Sequence, residues 1–149
     1  MNGNRQVETV NPYLVQIDGS SRCNPGPAGI GVRIISPNGK VVKEISRFIG
    51  KRTNNQAEYE ALITALNEIR LIGRHHFVIH TDSELLYNQL QGRYKVSNQE
   101  LKELHSKAKK LLATVPYVTI TLISRNDNRS TDRLAKAASR TGQKIIDEK

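Results

Sequence analysis

The chain has one cysteine, one methionine, two phenylalanines and no tryptophan among its 149 residues. Cys23 has no partner within the chain, so a disulfide-stapled scaffold is excluded, and no His/Cys cluster stands at zinc-ligand spacing. No apolar run approaches the roughly 20 residues that a membrane helix needs, and the opening MNGNRQVETV lacks the apolar stretch of a secretion signal. The expected location is therefore cytoplasmic, with no membrane contact. Repeats, low-complexity tracts and Pro/Gly/Ser linkers are also missing, and the length suits one domain. The expected layout is a flexible N-terminus over residues 1–12, one folded domain over 13–140 and a C-terminal tail over 141–149. A hydrophobic share of 37% with 25% charged residues fits a soluble globular fold.

Acid is scarce relative to base. The 23 Lys and Arg against 14 Asp and Glu leave a net charge of +9, which points to a polyanion as partner. The cations are scattered from Arg5 to Lys149 and form no amphipathic basic helix, which disfavours a lipid surface.

Hydrophobic periodicity predicts the elements. Tyr13 to Asp18 reads as a strand. Asn24 to Gly31, dense in Gly and Pro, reads as a loop leading into a strand over Ile30 to Ile35, and Pro37-Asn38-Gly39 turns the chain into a third strand over Val41 to Phe48. From Asn55 to Ile72 the apolar residues Leu62, Ala65, Leu66, Ile69 and Ile72 take helical spacing, with Gly73 as C-cap. Phe77 to Thr81 is a short strand. A second helix follows Asp82-Ser83 and ends near Gly92. Ser97-Asn98-Gln99-Glu100 matches a capping box that opens a third helix, expected to end near Ala113. Tyr117 to Ile123 is β-rich, Arg125 to Ser130 is a polar loop, and Thr131 to Arg140 is a short last helix. The fold class is α/β: a mixed five-stranded sheet, three antiparallel strands then parallel ones, with helices packed on it.

Four acidic residues stand out by position. Asp18 ends the first strand, although Asp-Gly is also a common turn. Glu58 shares a helix stripe with Leu62, Ala65 and Ile69, which puts a carboxylate on the core-facing side; complementing the helix dipole is the plainer account. Asp82 follows a strand at the edge where α/β folds place ligands, and Asp82 or Ser83 could equally be an N-cap. Asp132 falls in the first turn of the last helix, where capping is again the plainer role. Together they suggest a cluster. Like charges about 4 Å apart repel by on the order of 4 kcal/mol at an effective dielectric near 20, so four carboxylates need counter-charge. Two divalent cations supply it, and oxygen ligands suit Mg²⁺, with Mn²⁺ as a substitute.

Ile17-Asp18-Gly19-Ser20 with Asn24-Pro25-Gly26-Pro27-Ala28-Gly29, then Thr53-Asn54-Asn55-Gln56-Ala57-Glu58, then Thr81-Asp82-Ser83, then Asn128 to Asp132 before Arg133-Leu134-Ala135, together resemble type 1 ribonuclease H. The likeness runs from about Tyr13 to Ala138. It implies a ribonuclease H-like fold with helices on both faces of the sheet, and Asp18, Glu58, Asp82 and Asp132 as the catalytic metal-binding set, Asp18 bridging two Mg²⁺. The implied reaction is hydrolysis of the RNA strand of an RNA/DNA hybrid to 5′-phosphate and 3′-hydroxyl ends. Carried over residue by residue, Asn24, Asn54 and Asn55 would read the minor groove and 2′-hydroxyls, while Lys51, Thr53 and Asn98 would grip a phosphate of the DNA strand. Helix capping by Thr53, Asn54 or Asn98 is the competing account.

The chain departs from the pattern twice. The loop Ser124-Arg125-Asn126-Asp127-Asn128-Arg129 lacks the histidine that many relatives carry before the last aspartate; Arg125 or Asp127 are the available substitutes. Between the second and third helices only Gly92 to Val96 remain, so Arg93, Tyr94 and Lys95 form a minimal basic protrusion, which permits double-stranded RNA as a second substrate. With the four candidate carboxylates set aside, 23 cations face 10 anions, a net of +13 for phosphate contacts. A monomer is the expected state. The alternative is a nucleic-acid-binding module without catalysis, disfavoured because a binder gains nothing from four carboxylates facing a phosphate.

Overall fold

Strand β1 (Tyr13–Ser21) runs through the centre of the sheet, and its neighbours follow from its alternation. Val15 and Ile17 point to one face and are fully buried; Gln16 and Asp18 point to the other. In this computed structural model, which describes residues 11–147 and the side chains through Lys144, β2 (Gly26–Ile35) pairs antiparallel with β1, and β3 (Val41–Arg52) antiparallel with β2. On the other side β4 (Phe77–Thr81) lies parallel to β1, and β5 (Val118–Leu122) parallel to β4. The order is β3-β2-β1-β4-β5, the mixed five-stranded sheet expected.

The β1/β2 register separates two unlike faces. Val15↔Ile34, Ile17↔Val32 and Gly19↔Ile30 share one face; Gln16↔Arg33, Asp18↔Gly31 and Ser20↔Gly29 share the other. Helix α1 (Asn54–Ile72) covers the apolar face with Leu62, Ala65, Leu66 and Ile69. It starts at Thr53, whose hydroxyl accepts from Gln56 N while the Gln56 side chain accepts from Thr53 N, and stops at Gly73, at φ 106°. Helix α3 (Gln99–Leu112) packs on α1 through Leu101 and Ala108. Helix α2 (Glu84–Leu90) joins them, tied by the Tyr59 hydroxyl donating to Gln89 Oε1 at 2.7 Å.

Helix α4 (Arg129–Asp147) lies on the opposite face, so helices do cover both sides. It sits against bare backbone: a Cβ on Gly31 would stand 2.4 Å from the Thr131 carbonyl oxygen, and one on Gly29 2.4 Å from that of Ala135. The Gly-rich stretch read as a loop is therefore strand from Gly26 onward, with Gly29 and Gly31 serving helix contact rather than turning. The last helix is also longer than the expected Thr131 to Arg140. Arg125 to Asn128 form a 3-10 turn that feeds it, and it continues through Gly142, buried against the Phe48 ring, so the expected boundary after Arg140 falls inside a helix. Two smaller corrections concern ends: β3 extends past Phe48 to Arg52, and α3 is capped by Asn98, not Ser97. The predicted flexible segment lies, for residues 1–10, outside the described residues. Among the described residues no helix is long and apolar enough to cross a membrane.

Candidate metal centre

Asp18 sits in the middle of a strand, not at a turn. Its carboxylate is buried on the α4 face, and the adjacent Gly19 is needed for a different reason: a Cβ there would lie 2.3 Å from the Ala57 carbonyl carbon, so only glycine lets the first turns of α1 press onto β1. That approach brings Glu58 across, and its Oε1 accepts a hydrogen bond from Gly19 N at 2.9 Å. Dipole compensation does not explain a side chain bonded to another element. Asp82 follows β4, where Ser83 caps α2: the Ser83 hydroxyl accepts from Leu86 N at 3.1 Å, and Ser83 N donates to Thr81 Oγ1 at 3.1 Å. The cap is thus filled without Asp82.

Asp18, Glu58 and Asp82 each offer a carboxylate oxygen, and these all lie within 4.8 Å of one another. Asp132, from the first turns of α4, lines the same cavity of about 610 Å³ but stands outside that close trio of oxygens, and its Oδ2 meets Lys136 Nζ at 3.1 Å. The crowding shows in acidity. Burial, then the Glu58 and Asp82 charges, raise the Asp18 carboxyl far above its ordinary range. Burial and then Asp82 raise Glu58, partly opposed by the Gly19 N–H and the Arg125 guanidinium. The donor set is entirely carboxylate oxygen and short of positive charge, which fits a hard divalent cation such as Mg²⁺ or Mn²⁺ and not zinc.

Sequence reasoning missed Asn128, which holds this arrangement. Its buried Nδ2 donates to the Ile17 carbonyl at 2.9 Å and to Asp82 Oδ2 at 3.0 Å, so one amide ties the middle of β1 to the aspartate after β4. The orientation is forced, because a flipped amide would set its oxygen against two acceptors. The sequence signal was only an Asn four residues before Asp132. Arg125 and Lys136 also line the cavity and are its cations.

The expected substrate-binding residues divide. Asn24 Oδ1 accepts from Asn54 N at 2.8 Å, and Asn54 Oδ1 accepts from Ser21 N at 2.7 Å, which stitches the β1/β2 turn to the start of α1. Asn54 and Asn55 line the carboxylate cavity. Thr53 and Asn98 are helix caps, with Asn98 Oδ1 accepting from Leu101 N at 3.0 Å, and Lys51 is exposed on β3 opposite Pro27. None of these last three lines the carboxylate cavity.

A family model described as Reverse transcriptase-like matches residues 16–138. Ribonuclease HI of Halobacterium salinarum is 39% identical over 121 residues, 81% of this chain and 61% of the relative. The bifunctional protein Rv2228c of Mycobacterium tuberculosis is 35% identical over 126 residues, 84% of this chain and 35% of the relative. The chain thus spans less than two thirds of either. Among solved structures, LC11-RNase H1, isolated from compost and crystallised with an RNA/DNA hybrid, is 39% identical with a TM-score of 0.81, over 87% of this chain and 97% of that one. The family model spans the sequence from β1 into α4, and the chain belongs to the type 1 ribonuclease H family.

Proposed function

We propose that this chain is a metal-dependent endonuclease that hydrolyses the RNA strand of RNA/DNA hybrids, leaving 5′-phosphate and 3′-hydroxyl ends. The observation that carries it is the gathering of Asp18, Glu58 and Asp82 oxygens within 4.8 Å at the bottom of an open cavity. Asp18, Glu58, Asp82 and Asp132 would hold two Mg²⁺ ions, for which Mn²⁺ could substitute. Such ions acidify water to supply a nucleophile at neutral pH and stabilise the charge on a leaving 3′-oxygen.

The chain's own residues do the rest. Asn128 fixes Asp82 relative to β1, and the Gly19 N–H fixes Glu58, so the donors are positioned before substrate arrives. Asn54 and Asn55, on the cavity wall, would meet the minor groove with Asn24, where a 2′-hydroxyl distinguishes RNA from DNA. Lys51, Thr53 and Asn98 would meet a phosphate of the DNA strand. LC11-RNase H1, the relative seen with a hybrid, supports that substrate. Working as a monomer in the cytoplasm belongs to the same proposal. The test is cleavage of an end-labelled hybrid with Mg²⁺, against EDTA and against Asp82→Asn, with product ends identified by a phosphatase; a variant that cuts as fast as the parent would sink the assignment. Double-stranded RNA enters as a competitor, and equal rates on both duplexes would broaden the substrate class.

A further inference from the structure

The cavity holding the carboxylates does not end at them. Ser20 and Lys136 line both it and an adjoining hollow of about 350 Å³, whose further walls include Arg22, Ser139 and Arg140. The first cavity is dominated by acid. Every charged group lining the second is a cation.

We propose that this hollow is a phosphate subsite for the cleaved strand, with Arg22 and Arg140 as its ligands, a few nucleotides from the bond being cut. The inference rests on the hybrid-hydrolysis reading above and adds residues to it. Three observations carry it. The first is helical spacing: Asp132, Lys136 and Arg140 are four residues apart and share one face of α4, so the face runs from acid at the metal end to base at the other. Eight residues at 1.5 Å each put Arg140 about 12 Å from Asp132 along the helix axis, or about three to four nucleotides at 3.4 Å per nucleotide.

The second is availability. Among the described residues neither Arg22 nor Arg140 forms an ion pair with a carboxylate, whereas Arg33, Lys43, Arg52 and Lys136 do. A guanidinium that is not already paired can present its fork of donors to a phosphate. The third is rigidity. Arg22 N donates to the Pro27 carbonyl at 2.9 Å, and a Cβ on Gly26 would lie 1.7 Å from the Arg22 carbonyl oxygen, so the turn closes only over glycine. Ser21 beside it donates its hydroxyl to the Arg52 carbonyl at 2.6 Å. On the other wall, α4 rests on β2 at Gly29, where a Cβ would lie 2.6 Å from Ser139 N. Both walls are fixed by backbone, so binding has to order only the two exposed arginine side chains.

The test is steady-state cleavage of a labelled hybrid in Mg²⁺ by the parent, Arg22→Gln, Arg140→Gln and the double variant, with Arg74→Gln at the opposite end of β4 as a charge-matched control. The double variant should raise KM about tenfold with kcat within about twofold, and lower the slope of log affinity against log salt by about one to two. A hybrid whose RNA strand carries one neutral methylphosphonate linkage, moved a nucleotide at a time from the cleaved bond, should weaken the parent at one position and leave the double variant indifferent there. Parent-like KM and salt slope in the double variant, or a positional penalty that survives in it, would overturn the subsite while leaving hybrid hydrolysis intact. No cleavage by the parent at all would remove both.

Discussion

The two faces of the sheet are made from the same strands and do opposite work. Toward α1, Val15, Ile17, Ile30, Val32 and Ile34 meet Leu62, Leu66 and Ile69 with almost no exposure. Toward α4, the same two strands present Gln16, Asp18, Gly29, Gly31 and Arg33. Burial of apolar surface stabilises the first face. On the second, α4 comes close because glycines leave room, and a carboxylate is buried at a cost to stability. The lesson is that the core tolerates the site: a well-packed face offsets an electrostatically strained one.

The strongest way to break the comparison is to neutralise the strained face. Asp18→Asn should lower hybrid cleavage by about 10³-fold or more, a loss of about 4 kcal/mol of transition-state stabilisation, while the metal-free variant melts no lower than the parent. Kinetics and calorimetry on one preparation would check both halves; a variant that loses activity by unfolding would contradict the division. The mirror experiment is Leu66→Ala, deep under α1, expected to cost about 2–5 kcal/mol in denaturant unfolding with kcat near the parent value below the transition.

Proton linkage sharpens the contrast further. Asp18 and Glu58 titrate above their ordinary values when folded, so between those values and the raised ones the folded chain binds more protons than the unfolded. Stability from this source is therefore greatest at low pH and is lost as pH rises, by up to about 1.4 kcal/mol per pH unit for each proton released. Metal-free parent should lose stability relative to Asp18→Asn from about pH 5 to pH 8, and parallel profiles would refute the crowding. The smallest effect belongs to the rim: Lys43→Ala, which removes the surface pair with Glu68 at 2.7 Å, should change unfolding free energy by less than about 0.5 kcal/mol and leave activity alone.

What the sequence revealed follows the same division. Periodicity exposed α1 and placed Glu58 on its inward stripe, because a repeat of 3.6 is a local property. It did not explain Asp18-Gly19, since the need for glycine comes from a helix that begins 35 residues later and presses on that spot. Gly29 and Gly31 looked like loop residues for the same reason, and Gly142 looked like an end when it is the place where α4 passes Phe48. Ser83 and Asp82 were equally good caps on paper; only the hydrogen bond to Leu86 assigns one and releases the other. Arg22 and Arg140 were indistinguishable from scattered charge until the fold set them around one hollow.

The Asn128 amide, which joins the Ile17 carbonyl to Asp82, has one more implication. Its grip uses only protein atoms, so the middle of β1 and the aspartate after β4 are locked together with no ion in place. A chelator should silence this protein yet leave it folded, unlike a zinc finger, which collapses when stripped. Activity should then return on adding the ion back, without any step of refolding.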